Sequence, residues 1–531
     1  MGKDNFAFTI ILSLLFVAII MLVIFSAIKP EPINLEKEDE SFYSVEITQD
    51  FDKIEHPGYI ESDGNVIIVD ENGDFQKALD DANPGDIIEL KAGAYYEGSF
   101  IFPKKDGDEW ITIRTSEFEN LPEGRVTLKN RNLMPKIAAP PYGPAIKLES
   151  GAHNYKIVGL EIMPQDRTYS YGLIVLGENE INEDNLPYNI IIDKSYIHGD
   201  SVLGSKRGIA LNSKSTSISN SHISDFKSSF QEAQGIAGWN GPGPYKIINN
   251  YIEGSTQNVL FGGASPAIKD LVPTNIEILN NHFAKPEKWN KDSPNYDGSS
   301  WMVKNIFELK NARNVVIKNN IFENNWVDAQ NGYGILFTPR NQDRTSPWVV
   351  VENVEFSNNI IRNSHAGVNI LGIDDNSPSE QTNRITIKDN LFIDVGDLFL
   401  IIGPTDGIII DHNTALNSGN VITADLGVND NFVFKNNIIK HNQYGIFGSN
   451  YGSGDKAIQK YFPNSKIDNN VFISSENFKE IYSGNNFFVT EEEIKFDEKY
   501  VLKTDSNFKN SGTDGKDLGA DISLICNILG C

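Results

Sequence analysis

Residues Phe307–Asp343 read FELKNARNVVIKNNIFENNWVDAQNGYGILFTPRNQD, and this stretch contains the repeat unit that decides the fold. Its middle, Arg313–Asn324, indicates a strand, a tight turn and a second strand, because β-branched and aromatic residues flank a pair of asparagines. Asn319 and Asn320 suit the turn, since asparagine tolerates left-handed backbone geometry and hydrogen-bonds locally. The stretch therefore predicts a strand–turn–strand unit with asparagine at the corner.

The same unit recurs along the chain. The asparagine that ends the turn dipeptide occurs at steps of 23 to 39 residues, at Asn250, Asn281, Asn320, Asn359, Asn390, Asn413, Asn437 and Asn470. Two degenerate copies lie upstream, at Pro187–Gly199 and Thr216–Phe226. Self-similarity with a period of roughly 20–50 residues is the signature of a solenoid or a propeller.

The copies exclude most repeat architectures. They contain β-branched and aromatic residues without a helical period, which excludes helical solenoids. They lack the regular leucines of leucine-rich repeats and the signatures of WD and kelch propellers. A parallel β-helix accommodates a constant strand–Asn–strand unit with loops of variable length, and its stacked asparagines can form a hydrogen-bonded ladder at one corner.

With this pattern the sequence resembles the pectin-lyase-like right-handed parallel β-helix proteins, over roughly Asn65–Ser523. Phe75, Ala78, Leu79 and Ala82 have helical spacing, and the turn Asn83–Asp86 follows them, in the order of that superfamily's N-terminal cap. The resemblance implies an all-β, right-handed parallel β-helix with a short N-terminal capping helix. It leaves the activity open, because the superfamily contains lyases, hydrolases, epimerases and non-catalytic proteins.

The charge of the chain bears on its partners. The chain has 531 residues, a formal charge of -26 and a pI near 4.7. This acidic balance argues against nucleic acid as a partner and against nonspecific docking on anionic membranes. The length would suggest several domains, but the core of a solenoid grows along one axis. We expect a monomer.

The N-terminal run Phe6–Ile28 contains 23 residues without a charge, which is enough to cross a bilayer core of about 30 Å. A cleaved signal peptide is the alternative, although its apolar region is usually shorter. Lys3 precedes the run and acidic residues follow it. The sequence therefore predicts a single-pass membrane protein with its N-terminus in the cytoplasm and its body outside.

The remaining boundaries follow from composition. We predict a cytoplasmic N-terminus over 1–5, a transmembrane anchor over 6–28, an acidic linker over 29–64, the β-helix over 65–475 and a C-terminal capping region over 476–531. Leu518–Ile525 is a candidate for the last edge-covering segment. Cys526 and Cys531 either close a small terminal disulfide or remain free thiols.

A second class of strands follows the Asn units, with YGILFTPR (Tyr333–Arg340) as its clearest member, and indicates another stacked face. Polar insertions separate the strands and could wall a groove on this face: Glu178–Pro187, Pro286–Trp301 and Asp374–Thr382. A long, shallow groove suits a polymer.

Glu308 and Lys310 form an unusual charged pair within this apolar class of strands, and Arg340 ends the next strand of the class. Cleaving a uronate polymer by β-elimination requires a cation to neutralise the carboxylate and a base to take the C5 proton. Two adjacent cations would lower the pKa of a lysine base. The chain resembles the alginate lyase and chondroitinase B group, which implies Lys310 as the base, Arg340 as its partner and Glu308 as a ligand of Ca²⁺.

Further site residues are predicted from their places beside these strands. His198 is a third catalytic candidate, as a general base near Arg207 in the sequence, and Asp328 is a second metal ligand. Aromatic rings here either stack on sugars or pack in the core or rim. The predicted substrate-binding residues are Trp239, Asn240, Arg207, Trp326, Gln330 and Tyr333.

The sequence thus predicts a membrane-anchored, extracytoplasmic protein that acts on a polysaccharide, as a lyase with Ca²⁺. The alternatives are a non-catalytic glycan-binding or envelope β-helix, or a hydrolase or epimerase on the same fold. Asp374 and Asp375 invite comparison with the paired aspartates of polygalacturonase-like hydrolases. The negative charge disfavours a polyanionic substrate unless a local basic patch or a metal ion reverses the field.

Overall fold

The computed structural model describes residues 64–474 and 478–530. Over these ranges the chain winds through successive coils, and each coil adds one strand to each of three parallel sheets. No helix in the described ranges is both long and apolar enough to span a bilayer. The predicted anchor, Phe6–Ile28, and most of the predicted linker lie outside the described residues.

Each coil contains up to three strands, one in each of sheets A, B and C. Sheet A precedes the Asn turn, sheet B follows it, and sheet C closes the coil. Sheet A comprises Val66–Val69, Ile87–Leu90, Ile111–Thr115, His153–Val158, Tyr188–Asp193, Lys214–Ser219, Gly243–Ile248, Thr274–Leu279, Ala312–Lys318, Val351–Ser357, Asn383–Lys388, Val433–Lys435 and Lys466–Asp468.

The other two sheets run alongside sheet A. Sheet B comprises Tyr95–Glu97, Lys136–Ala139, Glu161–Pro164, Tyr196–His198, His222–Ser224, Tyr251–Glu253, His282–Ala284, Ile321–Asn325, Thr414–Asn417, Ile438–Lys440, Val471–Ile473 and Phe487–Val489. Sheet C comprises Phe100–Phe102, Ile146–Leu148, Ile174–Leu176, Arg207–Leu211, Gln234–Gly238, Gln257–Phe261, Phe307–Leu309, Tyr333–Phe337, Ile422–Asp430 and Ile446–Gly448.

Two long strands turn corners without a break. Ile360–Leu371 runs from sheet B into sheet C, and Leu391–Asp411 runs from sheet B through sheet C into sheet A. A short strand, Gly452–Ser453, pairs antiparallel with Ile446–Gly448.

Four short α-helices lie at the ends of the described chain: α1 (Phe75–Asp81), α2 (Asp455–Tyr461), α3 (Glu491–Ile494) and α4 (Ile522–Leu529). Short 3-10 helices occur at Phe118–Asn120, Leu128–Leu133, Glu183–Asn185, Glu287–Trp289 and Lys479–Ile481. The predicted capping helix is confirmed as α1. Its Phe75 is buried against the rings of Phe100 and Phe102 and covers the first coils.

One continuous apolar core fills the interior of the coils. Alternation along each strand turns every second side chain inward, and the register stacks equivalent residues from coil to coil. On sheet C, Ile209, Ile236, Val259, Phe307 and Ile335 occupy one such row, and all are fully buried. The positions that directly follow this row, among them Leu260, Glu308 and Leu336, face outward.

The corner between sheets A and B is held by the predicted asparagine ladder. The Asn320 side chain accepts from the backbone N–H of Asn281 at 2.8 Å, and its Nδ2 donates to Asn359 Oδ1 at 3.0 Å. The same contacts repeat from Asn250 to Asn470 and end on Asn486, a step that the sequence pattern did not mark. The ladder satisfies buried backbone groups that a tight corner would otherwise leave unpaired.

The residue before each ladder asparagine from Asn250 to Asn470 has a positive φ, as expected for the turn: Asn319 has φ 56° and Asn280 has φ 58°. In the two degenerate copies serine replaces the ladder asparagine. The Ser195 N–H donates to Ser221 Oγ, and the Ser221 N–H donates to Asn250 Oδ1. The ladder therefore begins with hydroxyl groups and continues with amides.

The C-terminal segment covers the outer face of sheet B. Ile522 and Ile525 of helix α4 pack on Ile360 and Leu391. The predicted last segment thus covers a sheet face, because its apolar residues have helical spacing. Cys526 is disulfide-bonded, and the only other cysteine of the sequence, Cys531, lies outside the described residues.

Truncating a ladder side chain should destabilise the fold. We expect Asn320→Ala to lower the free energy of unfolding by at least about 2 kcal/mol, because it leaves several buried backbone groups unpaired. Urea denaturation followed by circular dichroism measures this, with the exposed Asn331→Ala as the matched control. Equal denaturation midpoints for the two variants would show that the ladder does not stabilise the corner.

Candidate functional site

The outer face of sheet C lies between two sets of loops. Loops that enter this sheet from sheet B include the insertion Pro286–Trp301, and loops that leave it toward sheet A include Glu178–Pro187 and Asp374–Thr382. We call these two sides the entry edge and the exit edge, and the face between them the groove. Lys227 anchors the entry-edge wall, since its ammonium lies over the rings of Trp289 and Trp301.

A chain of polar side chains crosses four neighbouring strands of the groove. Arg207 Nη2 donates to Gln234 Oε1 at 3.1 Å, and Gln234 Nε2 donates to Gln257 Oε1 at 3.2 Å. Gln257 Nε2 then donates to Glu308 Oε2 at 3.0 Å, and Lys310 Nζ lies 3.5 Å from the same oxygen. We call these five residues the polar relay. The two ends of the relay are charged.

Each end of the polar relay has an unsatisfied polar atom. Glu308 is fully buried, and its Oε1 has no hydrogen-bond partner among the described residues. Arg207 Nε is likewise buried without a partner in the described part of the chain. Buried polar groups without partners are uncommon in native proteins, so these two atoms are candidate ligand contacts.

A cluster of cations surrounds the relay. Lys304 Nζ pairs with Glu232 Oε1 at 2.5 Å. Burial would raise the pKa of Glu232, but Lys304, then Lys310 and Arg207, lower it. Burial and the neighbouring Arg207 guanidinium lower the pKa of Lys206.

This cation cluster comprises Lys206, Arg207, Lys304 and Lys310, set against two carboxylates, Glu232 and Glu308. Positive charge is therefore in local excess in a chain whose formal charge is -26.

Arg207, like Lys206, has no carboxylate partner among the described residues. No carboxylate of the described ranges lies within 4.0 Å of its guanidinium, which instead stacks 4.7 Å from the centre of the Trp239 ring. Burial lowers the pKa of Arg207 to about 10. The side chain still carries its charge at neutral pH and has donors left for an anionic group.

The predicted meeting of Lys310 and Arg340 is found in the backbone, where the Arg340 N–H donates to the Lys310 carbonyl at 3.0 Å. The guanidinium, however, points away to the exit edge. Arg340 Nη1 pairs with Asp374 at 2.6 Å and with Asp375 at 2.5 Å. The Arg340 guanidinium is thus already paired with the carboxylates of Asp374 and Asp375 at the exit edge.

Asn240, one of the predicted substrate-binding residues, lies inside the protein. Its side chain is fully buried, and its Oδ1 accepts from the N–H groups of Ala267 and Ile268 while its Nδ2 donates to the Glu180 carbonyl. It therefore holds exit-edge loops together and has no surface for a ligand. Gly238 and Leu309 both pair with Phe261, so the residue that follows Gly238, Trp239, corresponds to Lys310.

The other predicted contacts lie at the entry side of the groove. Trp326 and Gln330 are half-buried in the loop before Tyr333. Tyr333 is buried against Leu336 and Ala366 on the outer face of sheet C, and burial raises its pKa. The Tyr333 side chain therefore packs against neighbouring strands of sheet C and exposes little surface to solvent.

The predicted metal ligands do not form a closed site. Asp328 is exposed, and its Oδ2 accepts from the Val303 N–H at 2.9 Å. Within residues 64–474 and 478–530, no three His, Cys, Asp or Glu side chains form a group that could hold a metal ion. Glu308 supplies one free oxygen, which falls short of the 6–8 oxygen ligands that Ca²⁺ takes. The described carboxylates therefore do not fit a calcium cage.

His198 lies away from the groove. It belongs to sheet B, where its Nε2 lies 3.1 Å from Glu161 Oε1 and its ring stacks on Tyr196. Arg131 pairs with the same Glu161 oxygen at 2.6 Å. The structure does not bring His198 together with Arg207, because the corner between sheets B and C separates them.

Sheet B carries a second buried polar network around Glu253. Tyr251 Oη donates to Glu253 Oε1 at 2.9 Å, and the Asp225 N–H donates to Oε2 at 3.0 Å. Burial, followed by the charge of Asp225, raises the pKa of Glu253 to about 7. Burial, followed by Arg125, lowers the pKa of the adjacent His222 to about 4.

Sequence reasoning missed Lys206, Gln234 and Gln257. A signal was present, since Arg207, Gln234 and Gln257 each open a strand of the same class, as RGIALN, QGIAGWN and QNVLFGG. A polar residue at one fixed position of successive parallel strands must form a row across the sheet.

Comparisons with known proteins agree on the fold. Residues 305–494 match a family model described as a right handed beta helix region. The structure resembles the PL6 family alginate lyase AlyGC with a TM-score of 0.50 and 12% identity, covering 86% of this chain and 58% of that one. No curated protein matches the sequence.

Two further lyases show weaker similarity. One is a mannuronic acid specific polysaccharide family 6 lyase from human gut microbiota, with a TM-score of 0.44, 12% identity and coverage of 80% and 91%. The other is pectate lyase Pel9A, with a TM-score of 0.33, 12% identity and coverage of 86% and 95%. The resemblance to the right-handed parallel β-helix superfamily is confirmed, and identity this low establishes the fold alone.

The Glu253 network predicts a specific pH dependence of stability. The carboxyl ionises near pH 4.5 in the unfolded chain and near pH 7 in the folded protein. Its contribution is therefore complete below pH 4.5 and is lost as the pH rises through 7. We expect wild type to lose stability relative to Glu253→Gln across this window, as measured by urea denaturation at each pH. Parallel pH profiles would contradict it.

Proposed function

We propose that this right-handed parallel β-helix protein binds an acidic, uronate-containing polysaccharide in the groove on sheet C and cleaves it by β-elimination. The observation that supports this most directly is Arg207, a half-buried guanidinium without a carboxylate partner among the described residues. An uncompensated buried charge is costly, so its retention is most simply explained by an anionic ligand. The cation cluster around it supplies the local basic patch that the overall charge lacks.

The polymer carboxylate would take the place of the missing partner of Arg207. A guanidinium can bind a carboxylate through two parallel hydrogen bonds, and Arg207 Nε is free to donate one of them. This contact would stabilise the negative charge that develops on the carboxylate when the C5 proton leaves. Arg340 cannot do this while Asp374 and Asp375 hold it.

We assign the base to Lys206 in place of Lys310. No carboxylate of the described chain lies within ion-pair distance of Lys206, and burial and Arg207 lower its pKa, which favours the neutral amine that a base requires. Lys310 instead pairs with Glu308. In the reaction, Lys206 Nζ takes the C5 proton, the C4–O bond breaks, a C4–C5 double bond forms, and the leaving oxygen receives a proton.

The remaining predictions from sequence are kept as part of this proposal. The chain would be anchored by Phe6–Ile28 with its body outside the cytoplasm, where such polymers occur. The non-catalytic alternative, a glycan-binding β-helix, shares the Arg207 contact and differs only in lacking cleavage.

Substitution of Arg207 should weaken binding. We expect Arg207→Ala to lower affinity for an acidic polysaccharide about 10- to 100-fold, since a charge-assisted hydrogen bond to a buried partner is lost. Arg207→Lys should restore part of it. Affinity electrophoresis in alginate, pectate, chondroitin and hyaluronan gels measures this, with Arg313→Ala on sheet A as the matched control, since it pairs with Glu352. Unchanged migration of Arg207→Ala would exclude the proposed contact.

Substitution of Lys206 should separate binding from cleavage. Ultraviolet absorbance of the unsaturated product reports β-elimination on the same four polymers, with and without added Ca²⁺. We expect Lys206→Ala to reduce the rate about 100-fold or more while affinity changes little, and Lys246→Ala on sheet A to act as wild type. If Lys310→Ala abolishes cleavage and Lys206→Ala does not, the base is Lys310. Binding without any absorbance rise would establish the non-catalytic alternative.

A further inference from the structure

Large aromatic side chains are exposed on the entry edge of the groove. Tyr142 is 65% exposed, Tyr171 is 49% exposed and Phe230 is 67% exposed. With the half-buried Tyr169 they form an unbroken row of rings. Their centroids are 5.9 Å apart for Tyr142 and Tyr171, 5.7 Å for Tyr171 and Tyr169, and 5.4 Å for Tyr169 and Phe230. We call these four residues the aromatic platform.

Backbone and side-chain hydrogen bonds hold the platform in place. The Tyr142 N–H donates to the Tyr169 carbonyl at 2.9 Å, and Ser170 Oγ donates to the Gly143 carbonyl at 2.8 Å. Gln231 Nε2 donates to Tyr169 Oη at 2.9 Å and ties the loop of Phe230 to the same ring. The rings are therefore presented by fixed loops, which lowers the entropy lost when they bind a ligand.

The platform is continuous with the proposed binding site. The Lys206 N–H donates to the Ser170 carbonyl at 2.9 Å, so the loop of Tyr169 and Tyr171 adjoins the strand of Arg207. The platform loops enter the strands at Ile146, Ile174 and Gln234 and so span the coil of Arg207 on both sides, over about 14 Å at ~4.8 Å per coil.

Exposed aromatic rings in this number are not explained by the core. Each of the three exposed rings loses hydrophobic stabilisation by facing water, and an exposed cluster of this kind usually marks a binding surface. The face of a sugar ring presents C–H groups that pack on aromatic rings, while its edge presents hydroxyls and the carboxylate. A platform of neutral rings beside a cationic site therefore matches a chain of acidic sugars lying along the groove.

We infer that Tyr142, Tyr171 and Phe230 form a binding subsite for the sugar rings of the polysaccharide that flank the residue held by Arg207. This inference rests on the proposed function, because it takes the same polymer as the ligand. It adds a second recognition element, which acts on sugar faces rather than on charge. It therefore predicts that long chains bind more tightly than short ones.

The experiment uses the full-length chain and the four acidic polymers, with affinity electrophoresis for binding. The variants are Tyr171→Ala, Phe230→Ala and the double variant Tyr142→Ala/Phe230→Ala. We expect each removed ring to weaken polymer binding about 2- to 10-fold, with little effect on binding of the monomeric uronate. Phe230→Tyr should retain binding, since the ring is kept. Tyr451→Ala is the matched control, as a tyrosine 48% exposed outside the platform.

The outcomes distinguish the contribution of the aromatic platform to polymer binding from the contribution of Arg207. If Arg207→Ala weakens binding and the platform variants behave as Tyr451→Ala, the subsite is overturned and the proposed function stands. If the platform variants weaken binding and Arg207→Ala does not, the sugar subsite stands and the charge-based function fails. If the variants change only the oligomeric state, measured by analytical ultracentrifugation, the surface is a protein contact and the inference is overturned. Absence of wild-type binding to every polymer overturns both.

Discussion

The asparagine ladder is the constraint on which the rest of the structure depends. A parallel β-helix must turn sharply between sheets A and B in every coil, and each turn buries backbone groups that no sheet can satisfy. Asn281, Asn320 and Asn359 satisfy them by passing hydrogen bonds from one coil to the next. This corner fixes the register of all three sheets, so that loops of different length can leave the other corners without shifting the strands. The groove is built at those other corners.

Fixed register explains why distant residues meet in the groove. Arg207, Gln234 and Gln257 are separated by 27 and 23 residues, yet the pairing of their strands places them side by side. The relay then connects a cation without a carboxylate partner in the described chain to the buried carboxylate of Glu308. Two of the four cations in the cluster, Lys206 and Arg207, have no carboxylate partner in the described chain, and the proposed function assigns an anionic ligand to Arg207. Charge and geometry here point to the same class of ligand.

The fold was predictable because its repeat is local, whereas most of the site was not. The strand–Asn–strand unit fits within a dozen residues, and its hydrogen-bond role follows from the side chain alone. The partner of Arg340 depends on an insertion 34 residues later, which brings Asp374 to the exit edge, and no local pattern reveals this. Asn240 and Lys310 each precede a ladder asparagine by ten residues, yet Trp239 corresponds to Lys310 in register, because the spacing to the Asn turn differs between coils. His198 and Arg207 are nine residues apart in the sequence and lie on different sheets, because a corner intervenes.

The polar relay and the aromatic platform of the groove differ in solvent exposure. Its polar relay is mostly buried and therefore rigid, which suits the positioning of a reacting group, because a preformed donor does not have to reorganise. Its aromatic platform is exposed and neutral, which under the proposed function would suit contact with sugar faces. Sheet B shows the opposite arrangement, with Glu253 buried and both of its oxygens satisfied, so its carboxyl stabilises the fold in the neutral form. Both Glu253 oxygens already accept hydrogen bonds inside the protein, whereas Arg207 keeps a donor without a partner among the described residues, and the proposed function therefore uses sheet C rather than sheet B.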